Sequence, residues 1–392
     1  MEQNNPKREA VIVAWGRSAV TRGRKGALAS VHPIEFGGQV LRGVLDRVPQ
    51  LDPLDIDDVI YGCTNLTGYQ SYDVTKMIAA RAGLPPQTCA ITVSRFCASG
   101  SDAIALGAAK IRAGMADVTV CGGVESMSLV PQPTPETRMD YHWLEEHVDP
   151  DIYLHVGLCG ENTARASGMT RADLDRLAVM SHQRAARARA AGYFREEIIP
   201  VAIPGEDGTV TMLEEDACIR EDTSMEGLAR LKPAFDPNGL ITAGTSSQVS
   251  DGTSCLVLMS REKAEALGIR PLARLVGYAP GCGSPAYLTP GVLEAIRKVL
   301  RQTGLGLEEM QAFEFNEAFA PVVIELVQTL GLDWADVNPN GGAMALGHPL
   351  GATGGFLACK LFSELKRRGG RYGMVAMCAA IGHGGAAIYE ML

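Results

Sequence analysis

The chain has 392 residues, 46% of them hydrophobic and 21% charged, the balance of a globular protein with room for two or three domains. Its formal net charge of −9 argues against nonspecific nucleic-acid binding. It also obliges any polyanionic substrate to find a local basic patch. The polar opening MEQNNPKREA holds no signal-peptide core and leads into a buried strand at 10–15. The spacing then predicts a strand at AITVS (90–94), a helix over 101–113 and a buried strand at 117–121. From about 123 to 247 the character changes, through VPQPTPETR (130–138) and EEHVDPD (145–151) to a basic helix that Thr170 and Asp173 open as a capping box. That helix has an apolar face of Leu174, Leu177, Ala178, Ser181, Ala185 and Ala188. Arg184, Arg187 and Arg189 lie off it, either as a solvated face or as a patch for phosphates. A helix over 354–368 and strands at 372–378 and 386–390 close the chain, giving an α/β protein with parallel or mixed sheets.

Residues 97–123 and 351–380 repeat one order: a small-residue helix entry, a helix, a Gly turn and a strand. Either any βαβ unit looks this way, or the chain is a duplication whose equivalent helix ends face one site. The ten cysteines form no C-x-x-C pair and no zinc or disulfide spacing, so most are small buried apolar residues and one or two are candidate reactive thiols. No apolar run is long enough to span a membrane, and the ending IYEML is not an SKL-type address, so a cytoplasmic protein is expected.

Four segments set a reactive side chain among small residues: SRFCASGSDAI with Cys97, FNEAFA with Asn316 and Glu317, NPNGGAMALGHPLGATGG with His348, and AMCAAIGHGG with Cys378. Cys97 follows a strand and enters a helix, where the positive end of the dipole should lower its pKa.

Together with TAGTSSQVSDG (242–252), these blocks resemble the thiolase family over nearly the whole chain. The resemblance implies a duplicated fold of two similar α/β halves in five layers (αβαβα). Residues 1–122, completed by 248–272, would form the first half, 123–247 an inserted CoA-binding loop domain, and 273–392 the second half. It implies reversible thiolytic cleavage of 3-oxoacyl-CoA, or Claisen condensation with acetyl-CoA, through an acyl-cysteine. Cys97 would carry the acyl group and Cys378 would move the α-proton. His348, with a water held by Asn316, would activate Cys97 and stabilise the enolate. The backbone amides of Cys97 and Ala380 would form a second oxyanion hole, and Ser247, Arg220 and His155 would meet the substrate. Glu317 would give structural support or act directly. The resemblance implies CoA and acyl-CoA as substrates, no tightly bound cofactor, no metal, and a homodimer or homotetramer.

Three positions depart from the family pattern. Ala380 stands where Gly is usual and serves only with negative φ. Val156 replaces a common Met, and GCGSPAYLTPG (281–291) differs from the usual tunnel stretch, which points to a substrate other than acetoacetyl-CoA. The alternatives are a decarboxylating ketoacyl synthase-like enzyme, which Cys378 in place of a histidine opposes, and a thiolase-fold carrier without turnover. Acyl preference and physiological direction are not written in the sequence.

Overall fold

The computed structural model describes residues 8–131, 142, 146, 150–205 and 207–392. Most of VPQPTPETR and EEHVDPD therefore lies outside the described residues. The first half of the chain runs β1 (Ala10–Arg17), β2 (Thr21–Arg22), α1 (Pro33–Leu45), β3 (Asp58–Gly62), α2 (Val74–Arg81), β4 (Cys89–Val93), α3 (Ser99–Arg112) and β5 (Val118–Ser126). It continues through α4 (Val156–Ala166), α5 (Arg171–Ala190), β6 (Val201–Pro204), β7 (Val210–Leu213) and α6 (Met225–Ala229) to β8 (Ser250–Ser260), α7 (Arg261–Ala266) and β9 (Ala273–Cys282). The remainder is α8 (Pro290–Thr303), β10 (Met310–Phe315), α9 (Ala320–Leu330), α10 (Ala343–Leu346), α11 (Thr353–Arg368), β11 (Tyr372–Cys378) and β12 (His383–Met391).

The strands pair in the order β10-β11-β12-β9-β1-β8-β5-β3-β4, with β2 beside β8. Each half repeats one scheme. β3 and β5 are parallel, and β5 to β8 and β8 to β1 antiparallel. β10 and β11 are likewise parallel, and β11 to β12 and β12 to β9 antiparallel. Even the partner of β4 has a counterpart, a parallel bridge between Phe313 and Val337. The halves share one hydrogen-bonded sheet, but they meet over only two pairs, Val11↔Arg274 and Ile12↔Ala273. Strands buried on both faces, such as VIVAWG and VTVCGG, read as continuous apolar runs because helices cover them on both sides.

α3 and α11 form the middle layer, packed on each other and on strands of both halves, while α1 with α2 and α8 with α9 lie outside. The two central helices touch at their entries through glycines: a Cβ on Gly354 would sit 2.1 Å from Ser101 N, and one on Gly100 2.8 Å from Gly351 O. Small residues are required there because the backbones themselves are in contact.

The boundary expected after residue 122 falls inside β5, which runs to Ser126. The capping box of α5 is present, with Thr170 Oγ1 accepting from Asp173 N (3.3 Å) and Asp173 Oδ2 accepting from Thr170 N (2.8 Å). The six apolar-face positions of α5 are buried. Arg184 is half-buried and committed to the chain itself, its guanidinium donating to the carbonyls of Trp334 (2.8 Å) and Val337 (2.7 Å). Arg17 on β1 is fully buried and bonds Glu197 and Asp216, 180 and 199 residues away, which fastens the segment after α5 to the sheet. Among the described residues no helix is long and apolar enough to cross a membrane.

Candidate active site

The four reactive segments converge on one cavity of about 270 Å³, lined mainly by apolar side chains. Cys97, His348, Cys378, Ala380, Ser247 and His155 all lie in its wall. Asn316 stands behind His348, and Arg220 is exposed and lies outside the wall.

Cys97 sits on a tight turn between β4 and α3. Phe96 takes a left-handed φ of 48°, and Ser99 closes the turn by donating to Phe96 O (2.6 Å) and accepting from Arg95 N (2.8 Å). His348 Nε2 lies 3.2 Å from Cys97 Sγ and 3.3 Å from Asn316 Nδ2. Thr353 Oγ1 donates to Pro349 O (3.0 Å), so it must accept from His348 Nδ1–H (2.6 Å). That hydrogen-bond pattern assigns the tautomer and leaves the Nε2 lone pair facing the thiol.

Burial keeps this pair neutral. It lowers the His348 pKa to about 4 and pushes the Cys97 thiol well above its ordinary value, with the nearby Cys378 and Glu125 adding to the rise. The expectation that the helix end lowers the Cys97 pKa is thereby corrected. Cys97 precedes the Ala98 N-cap, outside the first turn where the dipole acts, and desolvation wins.

Cys378 ends β11 with its thiol pushed up to about 12 by burial. Ala380 has no positive φ; the left-handed residues of this turn are Ile381 (56°) and Gly382 (76°). The turn therefore moves the strained position one residue past the alanine. The Ala380 backbone N–H meets no described acceptor, and the Cys97 N–H leans only on its own sulfur.

Asn316 is buried, and its Oδ1 has no partner. Glu317 is committed to structure: it accepts from Ser181 Oγ (2.6 Å), Asn338 Nδ2 (3.0 Å) and Met344 N (3.1 Å), pinning the loop that carries His348. His155 caps α4, its Nδ1 accepting from Gly157 N (3.1 Å). Ser247 N donates to Ala318 O (2.9 Å), so the two motifs pair along the wall. Val156 lines the cavity, and the 281–291 stretch packs on α4 and contributes Leu288. Among the described residues no group of three or more His, Cys, Asp or Glu is placed to hold a metal ion.

Sequence reasoning missed Thr353, which fixes the His348 tautomer, and Glu125, buried at the end of β5. Thr353 could have been found as the hydroxyl five residues past the histidine. Phe235, which stacks near His155 at 5.3 Å between ring centres, carried no local signal.

Family profiles for the thiolase N-terminal domain and the thiolase C-terminal domain match residues 10–262 and 269–391. The chain belongs to the thiolase family. A 3-ketoacyl-CoA thiolase of Bacillus subtilis (strain 168) is 41% identical, over 98% of this chain and 100% of the relative. The 3-oxoadipyl-CoA/3-oxo-5,6-dehydrosuberyl-CoA thiolase of Escherichia coli (strain K12) is 39% identical, over 98% and 99%. The crystal structure of the Bacillus anthracis acetyl-CoA acetyltransferase superimposes with a TM-score of 0.90 at 36% identity, covering 98% of this chain and 99% of that one. This thiolase thus has the duplicated α/β fold, and neither its site nor these relatives support a decarboxylating or non-catalytic alternative.

Proposed function

We propose that this thiolase catalyses reversible thiolysis of 3-oxoacyl-CoA through an acyl group on Cys97. The observation that carries the reading is the 3.2 Å contact between His348 Nε2 and the Cys97 thiol, in the cavity that Cys378 also lines.

In the cleavage direction the Cys97 thiol gives its proton to His348 Nε2 as sulfur attacks the 3-oxo carbon. A resting neutral pair suits this, since charge forms only as the bond does. The backbone amides of Cys97 and Ala380 are read as donors to the resulting oxyanion. Collapse breaks the carbon–carbon bond, leaving the acyl thioester on Cys97 and the enolate of acetyl-CoA. That enolate takes the Cys378 proton. Its oxygen would be met by protonated His348 and by a water, for which the unpartnered Asn316 Oδ1 is a ready acceptor. The Cys378 thiolate then takes the proton of incoming CoA, whose sulfur displaces the acyl group from Cys97, and His348 returns its proton to the departing Cys97 sulfur. A thiol held near 12 makes a thiolate basic enough for carbon-bound protons in the reverse, condensing direction.

We read the acyl group as apolar. Among the described residues the cavity wall includes Val156, Phe235, Leu288, Phe319 and Leu350 and no Lys or Arg to meet a terminal carboxylate. Residues 123–247 supply much of that wall and are proposed as the CoA-recognising cover. For Arg220 a nucleotide contact on the surface is kept as a proposal. A second copy of the chain is the proposed partner. β4 is an edge strand of the sheet, and Tyr72 (92% exposed), Tyr69, Ile91 and Met77 leave an apolar surface beside it. A cytoplasmic setting is proposed on the sequence alone.

A thiolysis panel of straight-chain, branched and dicarboxylyl 3-oxoacyl-CoA esters, with Cys97→Ala as control, tests the reading. Fast cleavage of 3-oxoadipyl-CoA over apolar esters would overturn the apolar assignment, and wild-type turnover by Cys97→Ala would overturn the mechanism.

A further inference from the structure

The two halves of the sheet build one corner twice. β3 ends on the pair Gly62↔Gly123 and β10 on the pair Phe315↔Ala376. Two residues beyond these pairs stand Glu125 and Cys378, and one residue beyond the first strands stand Cys63 and Asn316. In the second half this corner opens on the cavity. In the first half it is shut, and Glu125 fills it.

Glu125 Oε2 accepts N–H bonds from Thr64 (2.8 Å) and Gly351 (2.8 Å), and Oε1 accepts from Gln70 Nε2 (2.7 Å) and Asn65 N (3.3 Å). The Cys63 thiol adds a long contact of 3.9 Å. With N–H donors on both oxygens and no acceptor for a proton of its own, the carboxyl is satisfied only when ionised, although burial pushes its pKa up.

These donors belong to the loops that present the reacting groups. Gly351 follows His348 by three residues. Thr64, held through its N–H, donates from Oγ1 to Phe96 O (3.0 Å), and Phe96 is the left-handed residue that turns the chain into Cys97. A non-glycine residue in that region persists only where its surroundings hold it.

We propose that Glu125 is a positioning residue for the reaction, fixing the Cys97 turn through Thr64 and the His348 loop through Gly351, so that sulfur and imidazole meet. The assignment rests on the reading of Cys97 as acyl carrier and His348 as its proton acceptor. It also explains why one copy of the duplicated corner carries a carboxylate: that copy holds the loops that the other copy's thiol works against.

The test compares Glu125→Gln and Thr64→Val with the wild type on the 3-oxoacyl-CoA that the wild type cleaves fastest. Glu125→Gln keeps the shape but turns one acceptor oxygen into a donor. Thr64→Val keeps the carboxylate and cuts only the link to Phe96. Positioning lowers kcat and the rate of Cys97 acylation together, about 10- to 100-fold in Glu125→Gln and at least about 3-fold in Thr64→Val, with KM within about 2-fold. A purely structural carboxylate lowers Tm and leaves kcat and acylation within about 3-fold, which overturns the proposal. If Glu125→Gln does not fold, Thr64→Val decides alone by the same threshold. If the wild type forms no acyl-Cys97, the proposed function fails, and iodoacetamide labelling then decides the inference. Cys97 labelling, read against the exposed Cys89 and Cys282, slows at least about 3-fold in Thr64→Val if Glu125 positions the turn, and is unchanged if it does not.

Discussion

The turn that carries Cys97 and the turn that carries Cys378 hold the same functional group in opposite ways. Both thiols are pushed up by burial, and both turns contain a non-glycine residue at positive φ, Phe96 before Cys97 and Ile381 after Cys378. Cys97 faces an imidazole nitrogen at 3.2 Å, whereas the Cys378 sulfur is tempered only by its own backbone amide. A nucleophile needs somewhere to send its proton at the moment of attack. A base for a carbon acid needs the reverse, an unassisted thiolate that holds a proton strongly. One element, sulfur, serves both because the partner differs: Cys97, partly open to the cavity, faces an imidazole, and the buried Cys378 faces none.

The comparison breaks most visibly on Cys97→Ala, which should form no acyl-enzyme by mass spectrometry and lose at least about 1,000-fold in kcat/KM. Cys378→Ala should lose turnover by a similar factor yet still take an acetyl group on Cys97 from acetyl-CoA. Failure to acylate there would mean that the two thiols are not divided in role. His348→Gln should cost about 100-fold in kcat, with the loss already present in the acylation step, because only the Cys97 turn depends on a neighbouring acceptor.

The pH dependence sharpens the same point. Burial lowers the pKa of His348 and of His182 from 6.5 to about 4. Between pH 6.5 and 4 the unfolded chain therefore binds protons that the folded one does not, and stability falls as pH falls through that window. A shift of this size corresponds to about 3 kcal/mol at His348. Melting curves at pH 7 and pH 5 should show the wild type losing more stability than His182→Gln, whose amide can still accept from Arg220 N. The smallest effect is expected at Ile381→Gly, where relief of the left-handed conformation gains about 1 kcal/mol, less the lost side-chain contacts, without changing kcat.

Much of this was legible in the sequence, where chemistry and local pattern coincide. The strand at 372–378, the helix entries at Cys97 and Thr353, the capping box of α5 and the glycines between α3 and α11 are all written within a few residues of one another. Cys97, His348 and Cys378 stood out as candidates because each sits among small residues, in segments whose joint order resembles the thiolase blocks. The contacts that set their electrostatics were not legible. Glu125 in VES looks like a surface carboxylate until the loops at 64–70 and 351 close over it. Arg184 reads as one more charge on a basic helix until three carbonyls of the 334–338 loop surround it. The helix-dipole argument for Cys97 failed for the same reason: burial is a tertiary quantity, and the dipole acts only on the first turn.

The narrow seam between the half-sheets has a kinetic side. The second half is contiguous from β9 to β12, so its longest pairing, Ala273↔Met391, closes over less than half the stretch that separates Ala10 from Ser260. The first half is not: β1 waits for β8, as in the pair Ala10↔Ser260, across the whole insertion. Loop closure of that length makes β1–β8 pairing a late event, and on the ribosome β1 emerges long before its partner exists. Refolding should therefore show a fast phase from residues 273–392 and a slower one that captures β1. The two-pair seam adds little by itself, so the halves are joined mainly through α3 and α11, whose packing is completed when β1 is captured.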